Sequence, residues 1–234
     1  MIVADQGVLL NWAKLGRMVE TIPIFPLNTV LFPGAPMPLK IFEPRYREML
    51  KFCMENDRRF GVNLIQSGVE VGGSAEPHMV GTIADITSVR PEENGAIPIS
   101  TRGGRRYRIT SLDSSGSYLM GQIEYLEETV DDLAGIEAEK TLGVAESYTK
   151  MLLTTQGEWH RVLELPTDPL KLSYFLGTVL LGLAGEVRQN ILETDPVSAR
   201  LEKAAKALTF AATEMEKTIM RSGPGKGRTV FGKN

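Results

Sequence analysis

The stretch whose reading decides the fold is TIPIFPLNTVLFPGAPMPLKIFEPRYREM, residues 21–49. It is crowded with proline and large apolar side chains and holds almost nothing able to act as acid, base or nucleophile. Prolines 23, 26, 33, 36 and 38 confine it to edge strands, strand starts and turns, because proline has no N–H to give a ladder. They also fix φ, so the chain is stiff here. At Pro44 the pattern changes. Proline is tolerated at the first helical position, and Tyr46, Met49, Leu50, Cys53 and Met54 then recur at helical spacing, which predicts a helix near 44–56. Cys53 lies on that stripe and reads as a small core hydrophobe.

Working outward, IPIF, PLKIF, FGVNLIQ, GTIADITSV, AIPIST, RRYRITSL and YLMGQIEYLE are short β-branched or aromatic runs separated by turn residues. Such a series between residues 20 and 128 predicts a closed or half-closed β-barrel rather than βαβ units. Glu127, Glu128, Asp131 and Asp132 form an acidic connector, and the pattern beyond it is helical from 129 to about 220. Asp168–Pro169 and Asp195–Pro196 each set an N-cap acceptor before a first-turn proline. Leu172, Phe175, Leu176, Val179, Leu180 and Leu183 follow the first; Val197, Leu201, Ala204, Leu208, Ala211 and Met215 follow the second. Residues 1–19 read as a tail, and 221–234 as a flexible, basic, glycine-rich one. The fold class expected is α+β, a barrel and then a helical bundle.

A chain of 234 residues is long enough to bury a core without a metal or disulfide staple. Its single cysteine fits a reducing cytoplasm. The first twenty residues lack the basic start and unbroken apolar run of a secretory signal. LSYFLGTVLLGLAG, 172–185, carries three glycines and is shorter than the roughly 18 residues of a spanning helix, so no membrane is expected. The net charge of −3 argues against a surface built for nucleic acid.

Tests for chemistry come out negative. GPGKGRT at 223–229 has Gly227 where a phosphate loop needs Ser or Thr after its lysine. His78 and His160 are far apart in the chain, and one cysteine does not complete a zinc set, so neither metal nor other cofactor is expected. No GxSxG elbow is present, and the chain reads as non-catalytic. Two features remain. Glu43 and Arg45 flank Pro44 where strand becomes helix, as a cap or a locking pair, or as a binding edge beside Phe42 and Tyr46. TRGGRRYRI then sets Arg102, Arg105, Arg106 and Arg108 around a turn, suited to gripping carboxylate or phosphate.

IPIFPLNTVLFPGAPMPLKIFEPRYREML, with RRFGVNLI at 58–65, GTIADI at 81–86, GRRYRI at 104–109 and LETDPVSARLEKAAKAL at 192–208, resembles the Lon protease N-terminal (substrate-binding) domain family. The resemblance implies a PUA-like β-barrel at 20–128 and a helical subdomain at 129–220. It implies that Pro26, Phe32, Pro33, Gly34, Phe42, Glu43, Arg45 and Tyr46 are motif residues of the scaffold. The ATPase and Ser–Lys protease motifs of full-length Lon have no counterpart here, so the chain looks like a stand-alone recognition module, an adaptor tied to proteolysis or quality control. The partner implied is unfolded or exposed polypeptide, or a protein, with self-association left open. Phe32, Phe42 and Tyr46 are binding candidates wherever they prove exposed. The alternative is RNA, held by Arg102, Arg105 and Arg106 with Tyr107 as a stacking ring.

Overall fold

The computed structural model describes residues 20–71, 75–155 and 164–222, the side chains of 219, 221 and 222 excepted. Residues 1–19, and 223–234 of the tail expected at 221–234, lie outside the described residues, as does His160, whereas 221 and 222 are helical. Among the described residues seven strands come first: β1 (Glu20–Leu27), β2 (Pro36–Ile41), β3 (Arg59–Gly68), β4 (Ala75–Pro77), β5 (Val80–Val89), β6 (Ile97–Asp113) and β7 (Leu119–Tyr125). Helix α1 (Pro44–Glu55) lies between β2 and β3; α2 (Ala134–Thr155), α3 (Pro169–Val179), α4 (Gly185–Leu192) and α5 (Val197–Ser222) follow. The architecture is α+β. No described helix is long and apolar enough to cross a membrane.

Strand β1 closes the barrel. It pairs antiparallel with β7 from Glu20 to Ile24 and then parallel with β3 from Ile24 to Leu27. The path β1-β7-β6-β5-β3 thus returns on itself. Ile22, Ile24, Ile83, Tyr107, Ile109 and Ile123 fill the interior. At its centre the Tyr107 hydroxyl donates to Asn63 Oδ1, and Asn63 Nδ2 donates to the His78 carbonyl at 2.8 Å. Glycine is required beside this buried polar pair: a Cβ on Gly61 would stand 2.0 Å from the Tyr107 hydroxyl oxygen.

Helix α1 buries Tyr46, Met49, Leu50 and Cys53 of the stripe expected of it, and Met54 at its end is half-buried. Phe25 joins it to the barrel, with its ring centroid 4.0 Å from that of Tyr46 and 5.8 Å from that of Phe60. Burial pushes the Cys53 thiol up to about 12, so it stays protonated and inert at neutral pH.

Two compact units emerge, and their division differs from the sequence reading. One holds the described residues up to Leu27 together with Pro38–Glu127; the other holds Asn28–Met37 and the chain from Glu128 onward. NTVLFPGAPM therefore belongs to the helical unit rather than to the barrel. The cause is burial: Val30, Leu31 and Phe32 are core residues. Arg188 of α4 donates to the Val30 carbonyl at 3.1 Å and to the Gly177 carbonyl of α3 at 3.2 Å.

Within the helical unit, Asp168 caps α3 as expected, its carboxylate accepting the Lys171 amide at 2.8 Å. That helix stops at Val179, short of the predicted stripe, and Leu181 beyond it is 69% exposed. Asp195 does not cap α5. Its carboxylate is turned to Arg200, 2.7 Å away, and Asp131 accepts the Ser198 amide at 3.1 Å instead. Arg200 is fully buried and also donates to Glu128 at 3.0 Å and to the Thr194 carbonyl at 2.9 Å. Two carboxylates and a carbonyl offset the desolvation of that guanidinium.

Candidate functional site

The corner where β2 becomes α1 is built from local chemistry. Glu43 keeps an extended backbone with no side-chain cap, and its carbonyl accepts the Tyr46 and Arg47 amides. Its carboxylate pairs with Arg45 at 3.0 Å, and Arg45 reaches the Glu70 carbonyl at 3.1 Å and lies over the Tyr46 ring. The locking pair is present, and the cap is not. On the other side of α1, Arg47 grips Glu92 through two nitrogens at 2.9 and 3.0 Å and donates to the Gly95 carbonyl at 2.7 Å. Helix α1 is thus clamped from both sides.

Of the three candidate aromatics, the structure brings only Phe42 to the surface, 51% exposed. Phe32 and Tyr46 are core residues, because one belongs to the buried insert of the helical unit and the other to the inner stripe of α1. Phe52 was not singled out by spacing, yet it is 39% exposed on α1 and faces Tyr118 of the β6–β7 loop at 6.4 Å between ring centroids. Its place outside the apolar stripe, at an aromatic position on a polar face, was the available signal.

Two hollows flank that loop. The ladder of β1 with β7 ends at Ile24, while β1 runs on to Leu27 beside β3. The wall opens there into a hollow of about 210 Å³ lined by Ile24, Pro26, Arg45, Tyr46, Tyr118 and Leu119. Across Ser117 and Tyr118 lies a second, of about 370 Å³, whose lining includes Glu48, Asp113 and Ser115. The Ser117 hydroxyl donates to Glu48 and fixes the loop to the helix. The surface of α1 with this loop therefore presents apolar and acidic groups on a braced support.

The arginine-rich motif is not a turn. Residues 97–113 form one strand, β6, in which Thr82 faces Arg106 and Ala84 faces Gly103, leaving one extra residue on β6. Gly104 and Arg105 together oppose Ile83 as a β-bulge, with Gly104 packed so closely that a Cβ would meet Asp85 Oδ2 at 2.9 Å. Burial then divides the motif. Arg106 and Tyr107 are fully buried, which removes them from the binding candidates, while Arg102, Arg105 and Arg108 are exposed. Arg105 lies over the Tyr125 ring at 4.4 Å and 3.4 Å from Glu127. Among the described residues, no three His, Cys, Asp or Glu side chains form a group able to hold a metal.

Comparison with known proteins places this geometry. The family model for the ATP-dependent protease La (LON) substrate-binding domain matches residues 21–209. The Lon protease of Parabacteroides distasonis is 30% identical over 144 residues, 61% of this chain and 18% of that protein. That of Protochlamydia amoebophila is 26% identical over 218 residues, 88% of this chain and 25% of its own length. The chain thus spans between 18% and 25% of these two relatives. The crystal structure of a Lon N-terminal domain protein from Xanthomonas campestris superposes with a TM-score of 0.58 at 26% identity, covering 79% of this chain and 96% of that one. The N-terminal domain of Mycobacterium avium complex Lon protease gives 0.61 at 19% identity, over 81% and 98%, a likeness of fold alone.

Proposed function

Because the chain belongs to the ATP-dependent protease La (LON) substrate-binding domain family, we propose that it is a non-catalytic module that binds exposed or unfolded polypeptide, acting as an adaptor linked to proteolysis. The family match over residues 21–209 carries this reading. The exposed rings of Phe42 and Phe52 support it, since a module for unfolded chains needs apolar surface within reach of solvent. Both stand on or beside α1, which Glu43, Arg45, Arg47 and Ser117 brace. A braced helix meets its ligand with little further ordering cost.

The RNA reading has lost its stacking ring and one of its arginines to the interior, and β6 keeps only separated exposed cations. The experiment is fluorescence anisotropy with a reduced, carboxymethylated polypeptide and, in parallel, a short single-stranded RNA across a salt series. Micromolar, salt-tolerant binding of the polypeptide that weakens in Phe42→Ser/Phe52→Ser supports the module. RNA binding that collapses with salt and is lost in Arg105→Ala/Arg108→Ala overturns it.

A further inference from the structure

We infer that the two hollows on either side of Tyr118 act together as a specificity element, taking one large apolar side chain next to a lysine or arginine of the same polypeptide segment. This rests on the polypeptide-binding reading and adds to it a preference between segments.

The lining of the smaller hollow brings the apolar side chains of Ile24, Pro26 and Leu119 together with the ring of Tyr46. At about 210 Å³ it is below the roughly 300–1,000 Å³ that drug-sized ligands occupy, so it suits a single side chain. It also has a structural cause, the parting of β1 from β7 after Ile24. Arg45 at its rim is already matched by Glu43 at 3.0 Å, so it does not give the hollow a preference for anions. The larger hollow carries two carboxylates, Glu48 and Asp113, with Ser115 and Ser117 and no lysine or arginine in its lining. Hydrogen bonds from Ser115 hold the Asp113 carboxyl below the usual range, so it is ionised wherever a polypeptide would be captured. Charge complementarity therefore selects a cation there. Ser117 and Tyr118 line both hollows, which places the two subsites on adjacent residues of one bound segment.

The test uses labelled peptides in one uncharged host sequence, carrying Leu-Lys, Leu-Glu or Ala-Lys at the centre, beside the carboxymethylated polypeptide. The expected result is Leu-Lys bound about fivefold tighter than Leu-Glu, the size that exposed ion pairs support, with Ala-Lys much weaker than either. In Glu48→Gln/Asp113→Asn the ratio of Leu-Lys to Leu-Glu falls to about one while Leu-dependent binding remains. Ser117→Trp, which fills the mouth from an exposed position, weakens both leucine peptides, with an unchanged melting temperature showing that the fold is intact. Equal binding of Leu-Lys and Leu-Glu by the unaltered protein overturns the inference while leaving polypeptide binding in place. So does binding of the polypeptide with none of the three peptides. Failure to bind polypeptide at all removes the reading beneath it.

Discussion

The ring of Phe32 occupies the space that a side chain on Gly177 would need: a Cβ there would stand 2.2 Å from Phe32 Cε1. Arg188 lies across the same ring, 5.7 Å from its centroid, and holds the carbonyls of Val30 and Gly177. Burial pulls that guanidinium down to about 10, with carbonyls rather than a carboxylate answering it in these bonds. Insert and helix are built around each other.

Gly177→Ala is therefore expected to destabilise the protein by about 1–3 kcal/mol, the cost of forcing a methyl into a packed core. Intrinsic helix propensity favours alanine by about 1 kcal/mol and predicts the opposite sign. Urea unfolding decides which effect wins. Adding Phe32→Leu is expected to recover part of the loss, because the two sites share one space.

The barrel interior gives a second prediction. Tyr107→Phe takes from Asn63 Oδ1 its hydroxyl donor in a fully buried setting, at a cost of about 1–3 kcal/mol. Thermal unfolding would register that loss. Tyr107 is also held well above 10 by burial, so no tyrosinate absorbance from it appears below the pH of unfolding.

Acid sensitivity follows from Asp131. Hydrogen bonding from Ser198 holds its carboxyl below 3.8, and the unfolded chain loses that bond. A depressed folded pKa means that the contribution is complete above the unfolded value and is lost as pH falls through the folded one. Asp131→Asn should lower stability at neutral pH, and the two proteins should converge as the pH drops below about 3.8. Urea midpoints from pH 7 to 2 provide the test, and a constant gap across that range would contradict it.

Arg58, just past α1, sits at φ 55°, where its amide donates to the Cys53 carbonyl at 2.8 Å. Left-handed backbone at a helix C-terminus favours glycine. Arg58→Gly is expected to be neutral or stabilising by up to about 1 kcal/mol despite the extra chain freedom of glycine. A loss of more than that in chemical denaturation would show that the side chain matters.

What could be read from the sequence was what local spacing determines. Pro44 and the stripe from Tyr46 to Cys53 gave α1, and Asp168 capped its helix, because those signals act within a turn or two. Distant partners stayed hidden. Phe32 and Phe42 stand in similar proline-rich surroundings, yet one is buried and the other exposed, and the difference rests on Arg188, 158 residues beyond Val30. Gly103–Gly104 reads as a turn in isolation; only pairing with β5 makes it continuous strand with a bulge at Gly104–Arg105, and Arg106 and Tyr107 are buried there. Asp195 looked like a cap until Arg200, five residues on, claimed its carboxylate. The α1 surface itself was half visible: Phe42 was seen, whereas Phe52, Glu48 and the 113–118 loop come together only in three dimensions.

The most direct measurement of the central claim is amide hydrogen exchange with and without saturating carboxymethylated polypeptide. The account predicts slowed exchange in α1 and in the loop from Asp113 to Tyr118, with the exposed stretch of β6 around Arg102 and Arg105 unchanged. Protection confined to that stretch of β6, or absent from α1 and the loop while the polypeptide is bound, would contradict it.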